Sequence, residues 1–305
     1  MSTDAFNVKV FGCRGSYPKP GKDTVYFGGN TTCYAVKIRN CIIIFDAGTG
    51  IIDYGQELLK EHQTDKKTII ANLFLTHIHH DHIEGFPFFA PAYLYSTTIN
   101  IYGACTSTCS LVEMLSRSML PPYFPVEFVE THAIKNVQEL SDSDTVLLDA
   151  ATGTPKGLYH GSQHLSCDPD DIQVKVLRGY AHPKGGIYIY AVIWRGKKFV
   201  FATDTEGYIG SDQRLVQFCQ GADLLVHDAQ FTCATYADPK LPKQGWGHST
   251  VNMAVEVAQK AGVKKLILTH HDPNDTDEIV RSKQTDAQKL FSAVECAREG
   301  TVYTL

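Results

Sequence analysis

Apolar runs that alternate with helix-like stretches divide the chain into two halves, each combining strands with helices. Short runs of β-branched and aromatic residues predict strands, and apolar positions three or four residues apart predict amphipathic helices. The predicted strands are Asn7–Phe11, Thr32–Ile38, Cys41–Phe45, Ile69–Leu75, Ile99–Tyr102, Ile172–Leu177, Ile187–Ile193, Lys198–Ala202, Leu224–His227 and Lys265–Leu268. The predicted helices are Ile51–Glu61, Thr108–Met119, Asp212–Cys219, Ser249–Ala261 and Thr285–Ala297.

The densest polar motif follows the predicted strand Ile69–Leu75. It is the run His77-Ile78-His79-His80-Asp81-His82, which contains five potential metal ligands in six residues. Because side chains alternate along a strand, His77 and His79 leave its end on the same side. Imidazole and carboxylate are ligands that zinc and manganese accept. The run therefore predicts a metal site rather than a solvated, histidine-rich loop.

Other candidate ligands also stand at the ends of predicted strands. Asp46, Asp204 and His270 each end such a run, and His182 comes shortly after another. Open α/β sheets place their sites at the carboxyl ends of the strands. We therefore expect these four side chains to converge with the histidine motif.

The pattern His-x-His-x-Asp-His, with a later His, Asp and His each after a strand, resembles the metallo-β-lactamase superfamily over nearly the whole chain. The resemblance implies an α/β fold, a four-layer αββα sandwich with two divalent metal ions at one edge. It also implies a single domain over residues 1–305. Residues 142–171 depart from the family pattern, and their glycines and prolines predict an inserted loop or lid. Zinc is the expected metal, with manganese as the alternative.

The resemblance assigns a role to each candidate residue. By analogy seven residues would hold the metals: His77, His79 and His182 the first, Asp81, His82 and His270 the second, and Asp204 both. Asp81 would also take part in catalysis. Asp46 and His227 would support the ligands, whereas His80 and His271 would stand outside the ligand set. β-Lactamases of the superfamily usually have Cys in place of the bridging Asp, so Asp204 favours phosphate esters over antibiotics as substrates.

A second constellation resembles the phosphodiesterase branch of the superfamily, which includes ribonuclease Z. It pairs His227-Asp228-Ala229-Gln230 with Gly247-His248-Ser249-Thr250. By analogy His248 would contact the scissile phosphate and protonate the leaving oxygen. Asp228 would orient His248 and raise its basicity, as suits a general acid near neutral pH. Ribonuclease Z typically has Glu at this position, so the shorter Asp228 predicts a different local geometry.

Four residues are candidates for substrate binding. Arg14 and Asn30 flank a glycine-rich segment that could approach a phosphate or a base, although a conformationally demanding turn explains the glycines equally well. Ser249 and Thr250 adjoin His248, and either could begin the following helix as its N-cap.

Composition narrows the expected partners. The net charge is −5 at pH 7 and no long Lys/Arg run occurs, which gives no strong nucleic-acid signal and favours a small phosphodiester, with a cyclic nucleotide as the preferred substrate. No stretch approaches the ~20 apolar residues of a membrane span. The N-terminus lacks the pattern of a signal peptide, and the nine irregularly spaced cysteines suit reduced thiols. These features predict a cytoplasmic protein, and a homodimer is the default assembly.

Three other functions compete with a cyclic nucleotide phosphodiesterase. A ribonuclease Z-like RNA 3′-processing endonuclease would need a basic arm or exosite for RNA. A carbon-ester or thioester hydrolase, such as a lactonase or a glyoxalase II-like enzyme, would leave His248 and Asp228 without a role. A protein that senses nucleotides without cleaving them would not need the complete ligand set.

Overall fold

The computed structural model describes residues 4–105, 108–161 and 163–305. The predicted segment 142–171 is thus described except at residue 162, and residues 1–3 of the N-terminus lie outside the described part. The strands are β1 Phe6–Gly12, β2 Cys33–Ile38, β3 Cys41–Phe45, β4 Ile69–Phe74, β5 Thr97–Gly103, β6 Ile134–Glu139, β7 Thr145–Asp149, β8 Pro155–Tyr159, β9 Asp171–Gly179, β10 Ile187–Trp194, β11 Lys197–Ala202, β12 Leu224–Asp228, β13 Leu266–Thr269, β14 Val294–Cys296 and β15 Val302–Thr304.

The helices lie between these strands. They are α1 Gly50–Asp65, α2 His80–Ile83, α3 Leu111–Arg117, α4 Gln213–Cys219, α5 Cys233–Tyr236, α6 Val251–Lys260 and α7 Asp277–Leu290. Three short 3₁₀ helices span Phe86–Phe88, Ala90–Tyr93 and Phe128–Glu130. None of the helices in the described ranges combines the length and the apolar composition needed to cross a membrane.

The strands form two mixed sheets. The seven-stranded sheet has the order β15-β1-β2-β3-β4-β5-β6, and the eight-stranded sheet has the order β14-β13-β12-β11-β10-β9-β7-β8. In the first sheet β3 to β6 run parallel, and in the second β11 to β14 run parallel. The connections within each parallel set leave the strands' carboxyl ends at one edge of the sheet, where chemistry can collect.

Three apolar cores define four layers. The largest lies between the sheets and contains side chains of both, including Phe45 and Phe201, whose rings stack with centroids 5.3 Å apart. A second core joins the eight-stranded sheet to α4, α6 and α7. A third joins the seven-stranded sheet to α1, α3 and the short 3₁₀ helices. The predicted αββα sandwich is therefore confirmed.

The prediction did not include the strands β6, β7, β8, β14 and β15 or the short helices α2 and α5, and its C-terminal helix has different bounds. The helix predicted at Thr285–Ala297 begins earlier, at Asp277, and ends at Leu290, and Val294–Cys296 form β14 instead. That short segment pairs with β13 in the sheet, so a tertiary contact overrides a local helical pattern. The segment 142–171 contains the antiparallel pair β7–β8 at the edge of the eight-stranded sheet.

A row of asparagines crosses three parallel strands. Asn72, Asn100 and Asn136 are register partners on β4, β5 and β6. The amide of Asn136 donates to Asn100 (2.9 Å), and the amide of Asn100 donates to Asn72 (3.0 Å). Asn72 in turn donates to the carbonyl oxygens of Ile42 and Gly153, which ties the ladder to the neighbouring strand and to the β7–β8 turn. Each member thus satisfies a polar group that would otherwise be buried unpaired.

Asn100→Ala should lower the free energy of unfolding by about 1–3 kcal/mol, because it removes two hydrogen bonds and leaves the buried Asn72 oxygen without a donor. Denaturant unfolding measures the change. Asn252→Ala, at an exposed position on α6, is the matched control and should stay within about 0.5 kcal/mol of the parent. Equal midpoints for the two variants would show that the ladder does not stabilise the fold.

Candidate metal centre

Three of the candidate site residues that follow strands have a left-handed backbone conformation. Asp46 after β3, Asp204 shortly after β11 and His270 after β13 have φ values of 61°, 51° and 60°. Such conformations cost of order 1–3 kcal/mol each, and Asp and His tolerate them better than most residues. All three side chains are buried; Asp204 and His270 face each other, and Asp46 contacts His82, which also faces Asp204.

The side chains at this edge form two groups. The ligand atoms within each group all lie within 4.8 Å of one another. One group comprises His77, His79 and His182, and the other comprises Asp81, His82, Asp204 and His270. The structure thus brings together all seven residues that the sequence assigned to metal binding, in the two predicted sets. His271, the neighbour of His270, instead packs in the interior with Nε2 3.0 Å from the carbonyl oxygen of Ala297.

The Asp204 carboxylate lies between the two groups. Its Oδ1 is 3.2 Å from Nε2 of both His82 and His270. Its Oδ2 is 3.7 Å from Nε2 of His77 and 3.8 Å from Nε2 of His182. One oxygen therefore faces each group, which is the arrangement expected of a carboxylate that bridges two metals.

The donor set fits divalent metals. Nε2 of His77 and Nε2 of His82 are buried, and neither has a hydrogen-bond partner among the described residues. A buried polar atom without a partner is costly, so these two nitrogens require an occupant that accepts their lone pairs. Imidazole nitrogens and carboxylate oxygens in this arrangement are suited to binding divalent metal ions.

Electrostatic coupling within the groups is strong. Burial opposes charge on Asp204, but the imidazoles of His270 and His82 outweigh it and hold the pKa of the carboxyl well below its usual value. Burial also opposes charge on His270, yet the carboxylates of Asp204 and Asp81 raise its pKa to about 9. By contrast, burial and the neighbouring His82 lower the pKa of His77 well below normal. Ion pairs of this kind hold cationic charge at the centre where a metal would otherwise supply it.

Asp46 orients two of the histidines. Its Oδ2 accepts from Nδ1 of His82 (2.8 Å), and both oxygens accept from the Thr76 hydroxyl. The Thr76 oxygen lies 3.1 Å from Nδ1 of His77 and accepts a hydrogen bond from it, since the Thr76 hydroxyl proton is directed to Asp46. Because Nδ1 of each ring is the protonated nitrogen, Nε2 is left as the ligand atom. This arrangement agrees with the support role predicted for Asp46, and Thr76 is an intermediate that the sequence did not reveal.

Two further histidines are oriented by groups to which the sequence analysis gave no such role. Nδ1 of His182 donates to the carbonyl oxygen of Gly247 (3.0 Å), and Nδ1 of His270 faces Oε1 of Gln230 (3.2 Å). A backbone carbonyl carries no side-chain signature, so sequence cannot identify it. Gln230 lies two residues after Asp228, and this position was the sequence feature from which its contact with the site could have been predicted. Asp81 likewise accepts from the backbone N–H of Ser16 (2.7 Å).

His248 and Asp228 form a hydrogen-bonded pair beside the second group. Nδ1 of His248 donates to Oδ2 of Asp228 (2.8 Å), and the His248 ring stacks on His270 with centroids 4.7 Å apart. Asp228 is itself held by the backbone N–H groups of Ser249 (2.7 Å) and Gln230 (3.2 Å). His248, Asp204 and His270 line the floor of an open cleft.

Arg14 and Asn30, predicted substrate contacts, are occupied by structural contacts. Arg14 is fully buried and donates to the carbonyl oxygens of Gly28, Asp272 and Asp275, which joins loops far apart in sequence. Asn30 donates to the Glu299 carboxylate and accepts from the Thr49 hydroxyl. Neither lines the cleft, so the alternative interpretation of this segment, a demanding turn, describes the structure better.

The remaining candidates lie beside the centre. Thr250 is the N-cap of α6 and accepts from the N–H of Met253, as one of the two predicted caps. Ser249 is buried and donates to the carbonyl oxygen of Thr205. His227 is buried next to the Asp228 carbonyl and contacts no member of the two groups among the described contacts. His80 is exposed at the cleft, outside both groups.

Two glycines permit the close packing of ligand histidines. A Cβ at Gly15 would lie 2.3 Å from the His270 ring, and a Cβ at Gly247 would lie 2.2 Å from Nδ1 of His182. Gly247 also has a φ of 90°, a conformation that other residues rarely adopt. Gly196, in the turn between β10 and β11, has a similar φ of 75°, but a Cβ there meets nothing within 4 Å.

Gly247→Ala should weaken zinc binding at least tenfold, because the new methyl group displaces His182. Gly196→Ala, in the β10–β11 hairpin, is the matched control, since it imposes a similar backbone strain without a clash, and it should retain parental zinc affinity. Competition with a chromogenic chelator measures both. Equal affinities for the two variants would contradict the proposed contact between Gly247 and His182.

Known proteins resemble this chain over most of its length. The ribonuclease Z of Lactiplantibacillus plantarum is 26% identical over 300 residues, which cover 88% of this chain and 91% of that protein. Human tRNase Z, short form, has a TM-score of 0.61 at 23% identity, with 97% of this chain and 98% of that chain covered. The Bacillus subtilis metallo-β-lactamase fold protein YhfI has a TM-score of 0.63 at 20% identity, with 99% and 100% covered.

These relatives correct the expected partner. Ribonuclease Z and tRNase Z are named for RNA substrates, which contradicts both the small cyclic nucleotide and the absence of a nucleic-acid signal. The physical reason is that a net charge of −5 averages over the whole surface. A cleft that contacts a few nucleotides around one phosphate depends on local charge rather than on that average.

The family is shown by a match that spans most of the chain. Residues 42–271 match the family model described as a β-lactamase superfamily domain. The matched range includes both groups of candidate ligands and the His248–Asp228 pair. The prediction of a metal-dependent hydrolase is thereby confirmed, and the chain belongs to the β-lactamase superfamily.

Proposed function

We propose that this protein is a dinuclear metal-dependent phosphodiesterase that cleaves RNA, as a ribonuclease Z-like endonuclease. The observation that carries the proposal is the His248–Asp228 pair, which stands beside the Asp204 centre in the same open cleft. A hydrolase of carbon esters would leave this pair without a role. The relatives named ribonuclease Z and tRNase Z support RNA as the substrate.

Seven side chains would hold the metals: His77, His79 and His182 on one side, Asp81, His82 and His270 on the other, and Asp204 between them. Bound divalent metals supply Lewis-acid polarisation of a phosphate and activation of water. We propose zinc as the metal, because imidazole nitrogens outnumber carboxylates in the set, whereas manganese favours oxygen-rich sites.

His248 would act as the general acid. Because Nδ1 donates to Asp228, Nε2 is the nitrogen that exchanges a proton with the substrate. The Asp228 carboxylate stabilises the imidazolium, and its own contacts with two backbone N–H groups prevent it from turning away. The cation would protonate the departing oxygen of the cleaved phosphodiester, and the Asp204 centre would bind the phosphate itself.

A cation and an aromatic ring next to His248 suit RNA. Trp246, two residues before His248, is 48% exposed. The Lys243 ammonium lies 3.8 Å from the centroid of its ring. Single-stranded nucleic acids bind surfaces on which bases stack on aromatic rings and phosphates meet positive charge. This local pair offers both contacts although the chain as a whole is acidic.

The zinc-loaded protein should cleave a structured RNA that carries a single-stranded 3′ extension, and His248→Ala should reduce the rate by about 10²–10⁴-fold while retaining zinc. Gel analysis of end-labelled RNA and metal analysis of the purified variant measure the two effects. His132→Ala changes an exposed histidine outside both ligand groups; it is the control and should keep the parental rate and zinc content. No cleavage of RNA or of bis-(p-nitrophenyl) phosphate by zinc-loaded parent protein would contradict the proposed function.

Asp204→Ala should lose both metal and activity. The variant removes the carboxylate that faces both groups and leaves four imidazoles without their shared partner. Zinc bound after dialysis should fall from about two ions per chain towards none, and RNA cleavage should become undetectable. Asp286→Ala, at an exposed position on α7, should change neither. Retention of two zinc ions with full turnover would refute the bridging role.

A further inference from the structure

Glu206 accepts three hydrogen bonds, two of them from the loop that precedes His248 and one from Tyr236 at the end of α5. Its Oε1 accepts from the Tyr236 hydroxyl (2.5 Å) and from the backbone N–H of Gly245 (2.8 Å). Its Oε2 accepts from the backbone N–H of Gly247 (2.9 Å). Gly245 and Gly247 both have left-handed φ values, of 80° and 90°, and with this backbone conformation both N–H groups donate to the Glu206 carboxylate. The N–H groups of Gly245 and Gly247, on either side of Trp246, converge on one carboxylate, so the loop binds an anion that is an internal side chain.

The segment Asp204-Thr205-Glu206 links this loop to the metal centre. Asp204 lies between the two ligand groups, the carbonyl oxygen of Thr205 accepts from Ser249, and the Glu206 carboxylate holds the two glycine amides. Three consecutive residues therefore set the position of the loop relative to the centre. This connection needs no contact between Glu206 and a metal or a substrate.

The loop carries two groups that the centre needs. The carbonyl oxygen of Gly247 accepts from Nδ1 of His182 and leaves Nε2 of that ring facing Asp204. The next residue, His248, is paired with Asp228. Any movement of Gly247 thus changes the orientation of one candidate ligand and the position of the general acid together.

We propose that Glu206 is a positioning residue whose carboxylate clamps the Gly245–Gly247 loop and thereby sets both His182 and His248. The roles of these two histidines rest on the function proposed above. Without the carboxylate, two glycine amides and one phenol lose their acceptor, and the loop regains the conformational freedom that glycine confers. His182 then loses a fixed acceptor, which in comparable sites costs roughly 10- to 100-fold in metal affinity.

Trp246 provides a direct reporter of the loop. The chain has two tryptophans, and the other, Trp194, is buried at 3% exposure. Because Trp246 lies between the two clamped glycines, release of the loop should alter its access to a quencher. Acrylamide quenching therefore follows the clamp itself, independently of catalysis and of metal.

The test compares Glu206→Ala with Tyr236→Phe and Glu61→Ala. Tyr236→Phe removes one of the three hydrogen bonds and keeps both glycine contacts, whereas Glu61 is exposed and pairs with Lys37. We expect Glu206→Ala to weaken zinc binding 10- to 100-fold, to increase Trp246 quenching about twofold, and to lower kcat for bis-(p-nitrophenyl) phosphate. Tyr236→Phe and Glu61→Ala should stay within about threefold of the parent in zinc affinity.

The clamp would be overturned if folded Glu206→Ala kept zinc affinity and Trp246 quenching within twofold of the parent, even with a lower Tm. That result would show that Glu206 contributes to stability alone. If Glu206→Ala does not fold, Glu206→Gln, which keeps one acceptor oxygen, replaces it in the same comparison. Failure of the parent to cleave RNA would overturn the proposed function but not the clamp, which zinc affinity and quenching decide separately.

Discussion

The Asp204 carboxylate is the contact on which the rest of the centre depends. A charge buried to this extent is stable only if partners replace its lost hydration, and an uncompensated ion costs several kcal/mol. Here the partners are imidazoles from both halves of the chain: His77 and His82 follow a strand of one sheet, and His270 follows a strand of the other. The charge at Asp204 therefore has its partners only when the two sheets are packed together.

The packing behind the centre sets the distance between those sheets. Phe45, directly before Asp46, stacks on Phe201, three residues before Asp204. The aromatic core thus lies immediately behind the two residues whose left-handed conformations turn their carboxylates towards the site. Dense packing resists small displacements, so the backbone strain at the strand ends is held in place by the apolar core. Stability and site geometry are consequently properties of the same contacts.

Four of the five candidate ligand histidines have one ring nitrogen occupied by a partner outside the ligand set. Thr76 and Asp46 take Nδ1 of His77 and His82, a backbone carbonyl takes that of His182, and Gln230 faces that of His270. Such partners fix the tautomer and direct the free nitrogen to the centre. The loop that supplies the carbonyl to His182 also carries His248, and Glu206 accepts hydrogen bonds from two glycine N–H groups of that loop.

The sequence by itself determined the ligand types, their spacing in the histidine motif and their positions at strand ends, because these follow from residue chemistry and from the two-residue period of a strand. It also indicated the sandwich and the His248–Asp228 pair. It failed for Val294–Cys296, where pairing with β13 outweighs a helical pattern, and for Arg14, whose partners Asp272 and Asp275 lie some 260 residues away. Only the tertiary structure decided that Asp204 faces both groups and that Gly247, Gln230 and Glu206 orient the site. The physical reason is that a hydrogen bond depends on distances and angles between remote segments, and packing alone sets these.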